Sequence, residues 1–434
     1  MRKPAALGTC VALALLGVPA IAAPAPVPLS LQAAVSTALA RNPAYLQSAA
    51  GMAISEARLR QAQSSRGVIV TAQDNAQFVD PVARLSTPFG TLPFSPSNFS
   101  TTPLVSATFS LYDGGVSAAR IAQAGAALAQ TRAQVADARE RTATAVAKAY
   151  YQLAAAFAQT AVAQAAVRVA GAHIRQTEQF LRAGTGMRAD VLRAQTTLAD
   201  ERVRELDARN AVATAQAALD AAMGIAQTTE HIPTDGLDAP VPPLDLATML
   251  EQTKTLRGDL AAARYALTAA QYAVTAAQAA HRPHVSVTAS DGNVQPAIES
   301  GFHNQFSLAV NAVWRLVDGG YDVARIAEGR AGVEQARLAV DDLANTIELQ
   351  VRTAFLNVSG SRERIVAARA LVGSADENLR LARVRTRGGV ATTLELQDAE
   401  LRDRDAHRTL VDSEIALHTA VVELQSAAGI APGS

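Results

Sequence analysis

The chain has 434 residues, enough for two or three ordinary domains. Hydrophobic residues make up 49% of it but aromatics only 4%, and the surplus is alanine, which favours helix and adds little core volume; this suits long, closely approaching helices. Basic and acidic residues number 39 each and are interspersed, so no net field draws nucleic acid or an anionic surface.

In chain order, residues 1–22 read as a signal peptide: Arg2 and Lys3 give the positive start, Val11 to Val18 the apolar stretch, and Ala20-Ile21-Ala22 the small-x-small cleavage site. Cys10, the only cysteine, precedes that stretch and follows Thr9, which does not fit a lipoprotein signal. The mature chain is then expected to hold no disulfide and no cysteine–metal site. No later segment offers the ~20 consecutive apolar residues of a membrane helix. If the protein meets a membrane, it does so by strands or at the interface.

Residues 23–225 read as a first structural repeat: helix, strand, loop, strand, very long helix, turn, helix. The early strand lies near Val68 to Ala76. A long loop follows, carrying Pro81, Pro88, Pro93, Pro96 and Pro103. From Val105 to Leu111 apolar and polar residues alternate, the pattern of a half-buried strand. The strand is expected to end at Leu111 or one residue later, where Asp113, Gly114 and Gly115 form a joint into a helix. Ser117 to Arg182 contains no proline, and about 66 residues of helix make a rod of roughly 100 Å. The glycines Gly184 and Gly186 then argue for an antiparallel hairpin rather than one continuous rod.

A linker, 226–245, holds Pro233, Pro240, Pro242 and Pro243, and the second repeat, 246–430, precedes a short tail, 431–434. The repeat is visible directly. LYDGG at Leu111 to Gly115 recurs as LVDGG at Leu316 to Gly320, an offset of 205, which also relates Ala119-Arg120-Ile121-Ala122 to Ala324-Arg325-Ile326-Ala327. Upstream the offset is 215, setting Asn42 against Arg257, so the first copy carries ten extra residues in its loop. The second copy accordingly has strands at His284 to Ser290 and around Val310, Ala312, Trp314 and Leu316. Its joint is Asp318, Gly319 and Gly320, its rod runs from Asp322 to Arg387, and its turn holds Gly388 and Gly389. His281, His284 and His303 are set aside as metal ligands, because Pro283 breaks the helix that would align the first two. No nucleotide loop, zinc motif or Ser-His-Asp grouping is present; neither cofactor nor enzymatic chemistry is expected.

Four strands cannot close a membrane barrel, which needs about eight, and lipid tolerates no open edge. If the strands span a bilayer, several chains share one barrel; a trimer supplies twelve strands and twelve long helical segments. With its early Ala40-Arg41-Asn42-Pro43, paired Asp-Gly-Gly joints and Gly-turn segments (Arg182 to Leu198 and Arg387 to Leu401), the chain resembles the TolC-like outer membrane efflux family over nearly its whole mature length. The resemblance implies an α+β membrane protein, a homotrimer. Long antiparallel helical hairpins would form an α-barrel in the periplasm, and four strands per chain a shared 12-stranded transmembrane β-barrel. It implies a passive exit duct of a tripartite efflux or type I secretion system, in contact with outer membrane lipid, a periplasmic adaptor and an inner-membrane pump. The rival reading is a soluble periplasmic coiled-coil adaptor or scaffold.

By the same resemblance Asp190, Glu395 and Asp398 stand where the family's periplasmic aperture carries acidic rings. The family's tyrosine and arginine beside the second turn are replaced by Thr386 and Ala391, with Arg188, Arg385 and Arg387 as candidate basic partners. Gly184, Gly186, Gly388 and Gly389 mark hairpin tips facing the adaptor. Independently of the family, Glu395 and Asp398 lie three apart, on one helix face near its N-terminus. Copies of them around an axis would form a cation-attracting ring. Valine at Gly115 and Gly320 is expected to impair assembly.

Overall fold

Proline and glycine divide the chain into its elements. A computed structural model describes residues 27–78, 80, 84–93, 99–227, 229–236, 245–294 and 303–432, so the leader 1–22, Cys10, part of the linker and the last two residues lie outside them. In order the elements are β1 (Val27–Leu29), α1 (Leu31–Arg41), α2 (Pro43–Ser64), β2 (Ile69–Phe78), β3 (Arg84–Thr87), β4 (Gly90–Pro93), β5 (Phe99–Tyr112), α3 (Val116–Arg182) and α4 (Arg188–Met223). The second half has β6 (His231–Pro233), α5 (Leu246–Leu256), α6 (Gly258–Ala280), β7 (His284–Val294), β8 (His303–Val313), α7 (Tyr321–Arg387) and α8 (Thr393–Ala427).

Three local features differ from the sequence reading. Each repeat opens with two helices, not one. Asn42 ends α1 in an extended conformation because Pro43 follows, and proline then starts α2. The Asn42 Oδ1 accepts from Ala44 and Tyr45 N–H, while its Nδ2 donates to the Ala222 carbonyl at 2.8 Å. At the matching break Arg257 donates to the Ser426 and Ala427 carbonyls at 3.4 and 3.2 Å. Two unlike side chains thus satisfy the orphan carbonyls at the ends of α4 and α8. The first-copy loop, secondly, contains a hairpin, β3 against β4, turning over Pro88 and Phe89. Lastly, β8 ends at Val313 and not near Leu316: its partner β7 starts at His284, just after Pro283, so no backbone remains to pair with Trp314 onward. In the first copy a bulge between Ser110 and Tyr112 carries β5 one residue past Leu111.

One antiparallel sheet has the order β2-β5-β7-β8. Its two faces are chemically opposite. Thr71, Ser106, Ser290 and Ser307 form a single row across all four strands, with hydroxyl contacts of 2.8 Å (Thr71–Ser106) and 2.7 Å (Ser290–Ser307). The other face presents Val70, Val105, Phe109, Phe306, Leu308 and Val310, with Asp74 and Asp291 among them, and none of these apolar side chains is covered within the described residues; Phe306 is 68% exposed.

The rods α3 and α7 are 67 residues each, about 100 Å long. Each packs along its return helix, α4 or α8, in an antiparallel hairpin. The two repeats bury equivalent positions: Val146, Leu153 and Leu219 in one core and Val351, Val358 and Leu424 in the other. A third, smaller cluster of Leu379, Ala382, Leu396 and Ala399 holds α7 to α8 near their tip. Among the described residues one helix, α3, is long and apolar enough by length and composition to cross a membrane. Its apolarity is largely alanine, and in the fold it lies against α2, α4, α6 and α8.

Tyr150, fully buried on α3, joins the rod to a parallel pair of short strands, β1 with β6. Its hydroxyl donates to the Leu29 carbonyl at 3.0 Å and accepts from the Thr234 and Asp235 N–H groups at 3.1 and 3.0 Å. Tyr150→Phe strips a partner from three backbone groups. It is expected to destabilise the chain by about 2 kcal/mol, read as an earlier unfolding midpoint in denaturant at unchanged slope.

Candidate functional site

The two hairpin tips are built by backbone hydrogen bonds around a left-handed glycine. α3 ends at Arg182, and Gly184 (φ 76°) lets the Thr185 and Gly186 N–H groups both return to the Phe180 carbonyl at 3.0 Å. A side chain on Gly186 would meet the Phe180 Cβ at 2.9 Å, so this turn is tight as well as left-handed. Around α7 the equivalent is Gly389 (φ 74°), after which Val390 and Ala391 N–H return to the Arg385 carbonyl. Gly388, with φ −78°, only caps α7.

The acidic candidates sit just past these turns. Asp190 and Glu395 each fall in the first turn of a helix, where the dipole favours a negative charge. Thr392 caps α8 by accepting from the Glu395 N–H at 3.2 Å. Of the three basic candidates, Arg385 closes onto an acid: its Nη1 donates to Glu395 Oε1 at 2.6 Å, bridging the tip. Arg188 and Arg387 make no ion pair among the described residues; Arg387 instead lines a cleft with His173 and Glu400. Asp190 pairs with Arg193 and Asp398 with Arg402, each along its own helix. Thr386 is buried, its hydroxyl donating to the Ala382 carbonyl at 2.9 Å, and so faces the α7–α8 packing.

Sequence spacing carried no signal for the contacts that tie one hairpin to the other. Descending from the sheet end they are Ser426 to Glu140 at 3.1 Å, Lys148 to Glu423 at 2.7 Å, Gln159 to Asp412 at 2.7 Å, the Glu201–Arg404 ion pair, and His173 to Gln397 at 3.3 Å. The last two border a cleft of ≈ 640 Å³ between α3, α4 and α8. Burial raises the Glu400 carboxyl on its wall to about 7 and lowers the His173 imidazole. On the other side of α8, Asp403 and His407 approach Asp376 of α7, three possible ligand atoms within 4.8 Å of one another. There His407 Nε2 lies 3.1 Å from Asp376 Oδ1, so the trio already staples α7 to α8.

At the other end are the joints between sheet and rods. Asp113 accepts from the Gly115 and Ser117 N–H groups at 2.9 and 2.6 Å, and Asp318 repeats this with Gly320 and Asp322 at 3.0 and 2.8 Å. The glycines Gly114, Gly115, Gly319 and Gly320 all have positive φ, which puts the reversal from strand to helix into two residues. Nearby, His281 reaches the buried Asp322 at 3.1 Å instead of standing free in solvent, and Trp314 donates to the His281 carbonyl. His284 opens β7, while the side chain of His303 lies outside the described residues.

Two bare sheet edges, one bare apolar face and long helical hairpins ending in charged tips describe a part of a conduit. The sequence model of the family described as Outer membrane efflux protein matches residues 34–225 and 249–430, one span per repeat. No curated protein sequence gives a significant match. Among solved structures, a membrane protein from Pseudomonas aeruginosa is 22% identical, with 92% of this chain and 93% of that one covered and a TM-score of 0.77. The outer membrane protein VceC from Vibrio cholerae is 21% identical over 92% and 96%, with a TM-score of 0.77. The open state of the Neisseria gonorrhoeae MtrE outer membrane channel is 20% identical over 92% and 89%, with a TM-score of 0.75. At such identities the likeness is one of fold.

Proposed function

We infer the working role from one premise: the chain belongs to the outer membrane efflux protein family. It is an outer membrane efflux channel component and not an enzyme. On that premise, three copies assemble. Their four-stranded sheets close into a 12-stranded transmembrane barrel, and their rods form a helical tunnel in the periplasm. The assembly acts as the passive exit duct of a tripartite efflux or type I secretion system. An adaptor meets the tips at Gly184, Gly186, Gly388 and Gly389, and an inner-membrane pump chooses the cargo. Residues 1–22 serve as the export signal, and 23–225 and 246–430 as the two structural repeats.

The observation that carries this reading is the sheet. A soluble scaffold would have to leave Phe109, Phe306, Leu308 and Val310 in water on one continuous face, whereas lipid solvates these four side chains, a gain set against the carboxylates of Asp74 and Asp291 on the same face. The unpaired β2 and β8 edges are intolerable in lipid unless a neighbouring chain pairs with them. Fractionation tests the reading: a heat-modifiable outer-membrane oligomer with three times the chain mass supports it, and a soluble periplasmic monomer overturns it.

At the tips, Asp190, Glu395 and Asp398 line the aperture, with Arg385 holding Glu395 in place. Glu395→Gln combined with Asp398→Asn removes two carboxylates per chain from a narrow ring. In planar bilayers this variant is expected to conduct more and to lose block by multivalent cations. Unchanged single-channel behaviour refutes the aperture role while leaving the duct intact.

A further inference from the structure

We propose that Asp376, Asp403 and His407 form a binding site for a divalent transition-metal ion of the zinc class, which bridges α7 to α8 on the sheet side of the second hairpin tip. The site lies within one chain and does not depend on the duct reading.

The donors come from both arms of one hairpin. Asp403 and His407 are four apart on α8 and so share one face of that helix. Asp376 faces them from α7, and one ligand atom from each of the three lies within 4.8 Å of the others. His407 Nε2 stands 3.1 Å from Asp376 Oδ1. Two ligands of a tetrahedral zinc, each about 2.1 Å from the ion, stand about 3.3 Å apart, so this pair is already at ligand spacing. The side chains of Asp376 and His407 are 55% and 41% exposed, which leaves them room to turn toward an ion and gives water a path to the remaining coordination position. One imidazole nitrogen and two carboxylate oxygens with an open position make a zinc-type donor set. Calcium and magnesium take oxygen ligands, and the imidazole serves them poorly.

Two observations set the trio apart from ordinary surface charge. The first is an orphaned oxygen: Asp403 Oδ1 is shut off from water and has no hydrogen-bond partner among the described residues. Two carboxylates held this close repel each other unless a cation or a proton intervenes. The neighbouring arginines are engaged elsewhere. Arg380 makes a two-point pair with Glu377 at 2.6 and 2.7 Å, and Arg402 holds Asp398 at 3.0 Å. Among the described residues the only ion pair that either Asp376 or Asp403 makes is that of Asp376 with His407. The second observation comes from the repeat. The offset of 205 that matches α7 with α3 and α8 with α4 puts Gly171, Leu198 and Arg202 at these positions. The α3–α4 hairpin closes without the trio, so closing a hairpin does not account for it. In α7 and α8 that task falls to Leu379, Ala382, Leu396 and Ala399, which lie between the trio and the tip. Asp376 stands about 16 Å from the end of α7 at Arg387. On binding, the ion takes the place of the proton between His407 Nε2 and Asp376 Oδ1, which leaves to solvent, and it offsets the repulsion of the two carboxylates. One hairpin of the two thereby gains a second clamp.

The test uses the full-length, untagged protein in detergent, stripped with a chelator and then dialysed against Zn²⁺ or Mg²⁺. One zinc per chain is expected to remain bound, with no comparable retention of magnesium. His407→Gln keeps a hydrogen-bond donor toward Asp376 but lacks the ring nitrogen that binds the ion. It and Asp403→Asn are each expected to weaken zinc binding at least about tenfold, with helical content unchanged. As a second measurement, zinc in large excess over its dissociation constant raises the thermal unfolding midpoint of the unsubstituted protein by about 3 °C and leaves both variants unmoved. Glu395→Gln with Asp398→Asn retains the ion, because the aperture carboxylates are not its ligands. The proposal is overturned by an unsubstituted protein that binds no zinc, or by His407→Gln binding it as tightly as before. Loss of the zinc with Glu395→Gln and Asp398→Asn overturns it too, by assigning the ion to the tip. None of these results touches the duct reading, which rests on the sheet.

Discussion

A Gly114→Val variant is expected to leave no folded protein in the outer membrane, while Gly51→Val, in an open part of α2, accumulates normally. Gly114 has φ +68°, a conformation that costs a residue with a Cβ about 1–2 kcal/mol, more when that carbon is branched. The larger penalty is steric. A Cβ there would lie 2.6 Å from both the Ala279 carbonyl oxygen and the Arg282 Cβ, so either the end of α6 or the sheet must shift. That shift also breaks the Arg282 hydrogen bond to the Gly114 carbonyl at 3.0 Å, the link between the joint of the first repeat and the second repeat. Together these approach the whole stability of a typical domain, about 5–15 kcal/mol. Outer-membrane yield and protease resistance in cells measure the outcome. Gly115→Val is expected to be milder, because its nearest obstacle is the mobile end of Arg282 at 4.0 Å. A Cβ at Gly319 or Gly320 would meet nothing within 4 Å among the described residues. Their valine variants should be milder within one chain and fail at assembly, where in the proposed trimer another copy adjoins this joint. The sequence pointed to Gly115 and Gly320; the packing moves the most sensitive position to Gly114.

Arg404→Ala is the second large effect. Glu201 is 6% exposed, and Arg404 of α8 is the partner that offsets its desolvation, donating as well to Asp405. Removing the arginine strands a buried carboxylate, at a cost of about 3–5 kcal/mol. The expected result is a marked fall in the thermal unfolding midpoint of the detergent-solubilised protein. Arg404→Met with Glu201→Leu should recover most of it, because an apolar pair of similar volume carries no uncompensated charge. Since this pair ties the α3–α4 hairpin to α8, the double variant also separates two roles. Restored stability with raised conductance identifies the ion pair as a restraint on the tips. Restored stability with unchanged conductance identifies it as packing alone.

The parts of the molecule legible in the sequence are those set by local rules. Absence of proline, with the glycine joints before Ser117 and Asp322 and the glycine turns after Arg182 and Arg387, marked the two rods to within a residue, because a helix interior does not accommodate proline and glycine lets the chain turn. Alternation marked the strand at Val105 to Leu111, because successive side chains leave a strand on opposite sides, and the repeat then placed its counterpart at His284 to Ser290. The repeat offsets of 205 and 215, read from a few matched motifs, proved to be the register of the sheet itself. Glu395 was legible as an N-terminal acid, though its closure by Arg385 across the turn was not, since both Arg385 and Arg387 stood near it in sequence.

What only the tertiary structure decided depends on residues far apart in the chain. That Gly114 is intolerant follows from Arg282, and that Thr386 faces inward follows from how α7 rotates against α8. The end of β8 at Val313 is set by where Pro283 lets β7 begin. The hairpin-to-hairpin ties Glu201–Arg404 and His173–Gln397 join residues more than 200 positions apart. Helix propensity and strand alternation act over a few residues, so a single sequence records them at each position. Which face of one rod meets which face of another is fixed by burying the two repeats' apolar surfaces against each other, and no short window of the chain records that.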